Sequence, residues 1–288
     1  MRLLLAAYFL FLFFFIPTKS WGQLTRQSFL LEKNWRFFQG EVDKGESTVL
    51  DDATWQNVSV PHDWAIYGPF DRAHDLQDVA VTQNGEKRAT VKTGRTGGLP
   101  YVGVGWYPNN FDVPQFASNT KRVVLKFDGA MSEARVYING KEACFWPYGY
   151  NAFHCDVTEL LHADGMNNKI AVRLENKAQS SRWYPGAGLY RNVHVIVTEK
   201  IHVPVWGTYI TTPFVSDSLA SVKLETSVKN ADGKLVRMVT AITDARGRVV
   251  AQKDNQQKIN YGKPFVQNFV LTRPALCSPE YPDLDRVL

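Results

Sequence analysis

The chain reads as all-β: a jelly-roll β-sandwich followed by an immunoglobulin-like β-sandwich. Three observations predict this. Short segments of alternating apolar and polar residues recur from Gln23 to about Glu199, divided by Gly, Pro, Asn and Asp, and no long stretch carries helical periodicity. About 175 residues of such strands with long connections suit two packed sheets better than a small barrel. Beyond Lys200 the texture changes to a second set of strands joined by short polar turns, whose spacing and length fit an immunoglobulin-type sandwich.

Individual strands follow from the period-2 rule. Arg122–Phe127 puts Val123, Leu125 and Phe127 on one face, and Ala134–Ile138 runs into Asn139-Gly140, a strong short hairpin signal. Lys169–Leu174 aligns Ile170, Val172 and Leu174, and Val193, Val195 and Val197 repeat that spacing. Thr158 before Glu159-Leu160-Leu161 allows one capped helical turn. In the second part, Ala220–Lys229 alternates through Val222, Leu224, Thr226 and Val228, and turns at Asn230–Gly233. It resumes over Leu235–Asp244, and strands at Arg248–Lys253 and Phe265–Thr272 follow.

Residues 1–22 are set aside as a secretory signal peptide, because Arg2 precedes an apolar run from Leu3 to Ile16 and a small-x-small site at Ser20-Trp21-Gly22. That run is about 14 residues, too short to span a bilayer, and no later stretch approaches the length needed, so no membrane span is expected. The expected mature chain starts near Gln23 and is secreted or periplasmic. The 288 residues carry 33 basic and 28 acidic side chains, and removing Arg2 and Lys19 brings the balance near neutral. Because the cations are scattered rather than striped, nucleic acid is rejected as a partner. Three cysteines remain. Cys144 and Cys155 could face each other across neighbouring strands, although two buried free thiols are the favoured reading. Cys144, His154 and Cys155 lack zinc-ligand spacing, and no acidic run has calcium spacing, so no metal or cofactor is expected.

The most informative stretch is Ser181–Val195, SRWYPGAGLYRNVHV. Pro185, Gly186 and Gly188 permit a sharp turn, while Arg182, Trp183 and Tyr184 are side-chain types that stack on and hydrogen-bond to sugar rings. The competing reading is that Trp183, Tyr184 and Tyr190 pack the edge of the sandwich.

This stretch resembles the loop that closes the first, sugar-binding-type domain of family 2 glycoside hydrolases, the β-galactosidase, β-glucuronidase and β-mannosidase family. Four more segments resemble the same family in the same order: Trp55–Trp64 (WQNVSVPHDW), Gly103–Tyr107 (GVGWY), Ala134–Gly140 (ARVYING) and Tyr148–Leu161 (YGYNAFHCDVTELL). The resemblance implies a jelly-roll domain over 23–199, an immunoglobulin-like domain over 200–288, and a loop at Arg182, Trp183 and Tyr184 that approaches the substrate. Within it, Asp156 and Thr158 are expected to cap a turn, and Tyr150 and Phe153 to fill the core. His62-Asp63-Trp64 could supply an acid or base, but Pro61 and the lack of a neighbouring nucleophile favour a structural role. Two departures stand out. Pro108-Asn109-Asn110 replaces the usual basic pair and puts that strand's exposed face in doubt. Leu276–Asp285 matches "L-W-S-P-E-x-P-x-L-Y" with Cys277 and Asp285 substituted, and the immunoglobulin-like domain is expected to be truncated before its last strand and marginally stable or sticky.

Retaining hydrolysis needs two carboxyl groups roughly 5 Å apart, which in the family come from a barrel of about 250 further residues. Adjacent acids such as Asp51-Asp52 read as solvated loop groups, so no catalytic residue is assigned. The expected function is the leading, non-catalytic part of an exported β-galactosidase-like enzyme, with carbohydrate and the missing barrel as its partners. The alternative is a stand-alone carbohydrate-binding or interaction module. Coding sequence for a barrel downstream of Leu288 would separate the two.

Overall fold

The computed structural model describes residues 26–68, 70–74, 76–92, 100–177, 186–280, 282 and 284–288. The expected signal peptide, residues 1–22, lies outside them.

The first part contains strands β1 (Gln27–Leu30), β2 (Trp35–Gln39), β3 (Gln56–Val58), β4 (Gln77–Val79), β5 (Thr90–Lys92) and β6 (Val104–Phe111). These are followed by β7 (Lys121–Phe127), β8 (Ala134–Ile138), β9 (Lys141–Trp146), β10 (Phe153–Asp156), β11 (Asn168–Glu175) and β12 (Val193–Glu199). A four-stranded sheet in the order β1-β12-β7-β10 faces a six-stranded sheet in the order β3-β2-β6-β11-β8-β9, while β4 and β5 pair with each other as a separate ribbon. Alternation decides which side chains enter the space between. Val123, Leu125 and Phe127 of β7 and Val193, Val195 and Val197 of β12 point in from one sheet; Val136, Ile138, Ile170, Val172 and Leu174 point in from the other. Each such side chain contributes about 1.5–3 kcal/mol by leaving water. The β8–β9 turn puts Asn139 (φ 50°) and Gly140 (φ 79°) in the left-handed region, as a tight hairpin requires. Asn139 also reaches sideways: its Nδ2 donates to the Leu160 carbonyl at 2.9 Å and its Oδ1 accepts from the Lys169 amide at 2.8 Å.

Several local expectations meet the structure differently. Phe153 is buried and stacked on Phe127, but Tyr150 is 41% exposed and lies against Tyr148, so it does not fill the core. Thr158 begins a single 3-10 turn, and its amide donates to Asp156 Oδ1 at 3.0 Å. Pro108 and Asn109 are buried rather than on an exposed face. The described pairing of β6 with β2 involves only Gly105 and Trp106, so Pro108 lies beyond that ladder and its missing N–H costs no bond there. Asn109 spans the gap instead, donating from Nδ2 to the Lys33 carbonyl at 3.0 Å.

Cys144 and Cys155 form a disulfide, against the favoured reading of two free thiols. The strands that carry them are not hydrogen-bonded neighbours. Cys144 is on β9, the edge of the six-stranded sheet, and Cys155 on β10, the edge of the four-stranded sheet, so the bond joins the two sheets at one side of the sandwich. Cys277 is free and exposed.

The second part holds β13 (Thr208–Val215), β14 (Leu219–Thr226), β15 (Leu235–Thr243), β16 (Val249–Lys258), β17 (Phe265–Thr272) and β18 (Arg286–Val287). Two three-stranded sheets, β13-β14-β17 and β16-β15-β18, enclose a smaller core of Ala220, Val222, Leu224, Ile242, Phe269 and Leu271. Gln267 is buried within it but satisfied, accepting from Thr240 Oγ1 at 2.6 Å and donating to Asn255 Oδ1 at 3.1 Å. Arg286 and Val287 pair with Thr243 and Ile242, so two residues of a last strand lie on β15.

The disulfide closes a loop with a sequence separation of 11, so Cys144→Ser should lower stability by about 2–4 kcal/mol, read from urea unfolding. Thiol titration of the denatured, unreduced chain should find only Cys277; finding all three cysteines reactive would contradict the bond.

Candidate functional site

Arg182, Trp183 and Tyr184, the residues expected to meet a sugar, lie outside the described residues. What the structure describes is the base on which residues 178–185 are mounted. The segment leaves the end of β11 at Asn176, whose amide donates to the Gly103 carbonyl at 2.8 Å. Its buried side chain reaches across the gap and donates from Nδ2 to the Gly186 carbonyl at 3.1 Å, tying departure to return. After Gly186 the chain runs inward through Ala187, Gly188 and Leu189, all buried.

Gly188 is held on two sides. It exchanges backbone hydrogen bonds with Met131 at 3.0 and 3.1 Å, and the Leu189 carbonyl accepts from the His62 amide at 2.8 Å. Its φ of 91° is left-handed, and a Cβ there would stand 2.3 Å from Tyr107 Oη and 2.6 Å from the His62 carbonyl oxygen. Only glycine permits this approach. Tyr190 follows, half-buried, and its hydroxyl donates to the Gly149 carbonyl at 2.8 Å; this aromatic packs the edge, as the competing reading expected.

His62-Asp63-Trp64 forms a wall against Gly186 and Gly188, and its role is structural. His62 is 8% exposed, and its Nδ1 shares a hydrogen bond with Tyr107 Oη at 2.8 Å. Burial pushes the imidazole's pKa down, partly opposed by the Asp63 carboxylate, and pushes the Tyr107 phenol well up. A neutral, buried ring locked to a phenol is a poor proton shuttle. Asp63 caps the short α-helix α1 (Trp64–Tyr67) by accepting from the Ala65 amide at 2.9 Å. Trp64 stacks on Phe37 with centroids 5.5 Å apart and donates from Nε1 to the Tyr101 carbonyl at 3.1 Å.

Beside this wall lies a cavity of about 630 Å³ that sequence reasoning missed. Phe38 and Trp55 line it with centroids 5.0 Å apart, and the exposed Tyr67, stacked on His62 with centroids 6.2 Å apart, lines it too. Trp55 opens the WQNVSVPHDW segment, so the signal was present in the sequence; its facing partner Phe38 is visible only once β2 is placed. These rings offer stacking surface. Asp51 accepts from the Ala53 amide at 3.1 Å in an exposed turn, which is a local structural use. Among the described residues no group of three His, Cys, Asp or Glu side chains could hold a metal ion, and no helix is long and apolar enough to cross a membrane.

Two outcomes follow from the wall. Gly188→Ala must displace backbone and Tyr107 together, and should cost about 2–4 kcal/mol in chemical unfolding. His62 has a folded pKa below its ordinary 6.5, so protonation favours the unfolded chain. Its contribution is present above that ordinary value and lost as pH falls through the folded one. Stability should therefore drop as pH falls below about 6.5, and His62→Gln should flatten that part of the profile.

The family model for glycosyl hydrolases family 2, sugar binding domain, matches residues 30–199. A β-galactosidase of Bacteroides ovatus is 34% identical over 256 residues, covering 87% of this chain and 28% of that protein. A putative β-glucuronidase of Formosa agariphila is 31% identical over 252 residues, covering 87% of this chain and 22% of that protein. Among solved structures, a β-glycosidase from Bacteroides vulgatus superposes with a TM-score of 0.77 at 25% identity, covering 91% of this chain and 31% of that one. A family 2 member from Bacteroides cellulosilyticus gives 0.73 at 28% identity, with 91% and 33% covered. The chain thus spans between a fifth and a third of the length of these relatives. With the sugar-binding match spanning most of the first sandwich and the likeness continuing through the second, the chain belongs to glycoside hydrolase family 2 and corresponds to the leading portion of its enzymes.

Proposed function

We propose that these residues are the carbohydrate-holding platform of an exported, β-galactosidase-like glycosidase whose bond-breaking carboxylates lie outside them. The observation that carries this is the extent of the match: 87% of this chain aligns with only 28% of a β-galactosidase. The rigid mount at Asn176, Gly186 and Gly188 supports a specific role for the segment between, in which Arg182 hydrogen-bonds to sugar hydroxyls while Trp183 and Tyr184 offer their faces to the ring. In the complete enzyme this segment borders the pocket where two carboxyl groups act on the glycosidic bond. Residues 1–22 direct export, and the mature chain begins near Gln23.

The aromatic-walled cavity at Phe38, Trp55 and Tyr67 favours a second reading, a module that binds carbohydrate on its own. Assay of the purified 288-residue chain against nitrophenyl β-galactoside and β-glucuronide should detect no turnover; measurable turnover sinks the platform reading. If Trp55→Ala abolishes binding of an oligosaccharide by the isolated chain while Trp183→Ala does not, the module reading replaces it.

A further inference from the structure

We propose that the second sandwich carries its own binding cleft for a neutral oligosaccharide, built around Trp206, Tyr209 and Tyr261. The cleft is a concavity of about 690 Å³, a size that accommodates a ligand of a few sugar units. It lies outside residues 30–199, the extent of the sugar-binding match.

Three rings line the cleft and face solvent: Trp206 is 62% exposed, Tyr209 64% and Tyr261 91%. Their polar ends make no hydrogen bond to other described residues, and neither do the side chains of Asp232, Asn260 and Lys263 between them. Aromatic faces beside uncommitted amide, carboxylate and ammonium groups match what a pyranose presents, C–H faces bordered by hydroxyls.

Trp206 supplies the second argument. It occupies the third position of the turn Pro204–Gly207, closed by the Gly207 amide donating to the Pro204 carbonyl at 3.0 Å, and its φ is 56°. That position suits Gly or Asn, and a bulky aromatic there is strained. Hydrophobic burial does not explain the choice, because the ring is mostly exposed; what steadies it is an edge-on contact with His154 of the first sandwich, centroids 5.0 Å apart. A costly residue held in place with its face open points to use of that face. The inference takes from the family reading only the class of ligand.

Affinity electrophoresis of the 288-residue chain in gels containing soluble β-galactan, xylan or β-glucan provides the test. At least one polysaccharide should retard the chain, and Trp206→Gly and Tyr261→Ala should each weaken retardation by about tenfold or more. Trp206→Gly should leave the melting temperature unchanged or raised, since it relieves the turn. Tyr261 is so exposed that its truncation leaves the fold intact. Retardation by none of the three, or retardation that both variants leave untouched, overturns the cleft. Loss on Trp183→Ala alone also overturns it while sparing the platform reading. A chain that sediments as a dimer and becomes monomeric on Tyr261→Ala would make this face a self-docking surface and overturn it as well.

Discussion

The close approach of backbone to backbone at Gly188 is the constraint on which the rest of the first sandwich depends. There the returning arm of the loop is pressed between Met131 on one side and His62 on the other, with the Tyr107 hydroxyl directly against it. Removing a Cβ from this point lets three separate segments share one hydrogen-bonded seam. The seam is buried, so every polar group in it must be paired. The His62 amide is used by Leu189, the Gly188 amide and carbonyl by Met131, and the His62 ring by Tyr107. A histidine suits this place because a single ring nitrogen can answer a phenol while the ring itself packs against Phe37, at 5.0 Å between centroids. The same burial that makes the seam rigid keeps that ring neutral, which is why HDW serves architecture rather than proton transfer.

The edge strands β9 and β10 are held by different means. At the edge where β9 and β10 face each other across the core, the disulfide replaces the packing that edge strands lack. On the outer face of the six-stranded sheet, Arg173 grips Glu41 through Nε and Nη2, at 3.0 and 2.6 Å, and Trp106 adds a hydrogen bond from Nε1 at 3.1 Å. The guanidinium holds the Glu41 carboxyl below its usual range. Glu41 remains largely in solvent, so this cluster is worth at most about 1 kcal/mol, less than one buried valine of β7. The core sets the stability, and the ion pairs orient the surface.

How much of this was legible in the sequence depends on the range of the interaction. Period-2 alternation put Val123, Leu125, Phe127, Ile170, Val172 and Leu174 on the correct face because a strand's two faces are a local property. Asn139-Gly140 was legible for the same reason. The disulfide was not, because β9 and β10 are consecutive in sequence yet belong to opposite sheets, a fact of topology rather than of spacing. Tyr150 was misplaced because an aromatic three residues ahead of β10 can turn either way, and it turned toward Tyr148. Pro108-Asn109-Asn110 put the exposed face of its strand in doubt, yet Pro108 and Asn109 are buried, beyond the two residues of β6 that pair with β2. At the candidate site, Trp55 was visible as part of a motif, but the cavity it shares with Phe38 needs β2 and β3 side by side.

Of the nine described non-glycine residues with positive φ, four are asparagine and one, Trp206, is aromatic. Asn34, Asn139, Asn167 and Asn230 all have positive φ, and asparagine enters that region at little cost because its short amide can bond to nearby backbone. Asn139 and Asn230 do bond to main chain, at Leu160 and Lys200. Trp206 shares their φ and has no such compensation; for a residue with a bulky Cβ substituent the penalty is on the order of 1–2 kcal/mol. Against a sandwich whose core is small, that is a measurable fraction of its stability. Glycine at 206 would close the same turn without strain. The indole is therefore not there for the turn, and since most of its surface is in solvent it is not there for the core either. In the first sandwich the unusual backbone at Gly188 is explained by what it packs against; at Trp206 the ring makes one edge-on contact, with His154, and presents most of its surface outward.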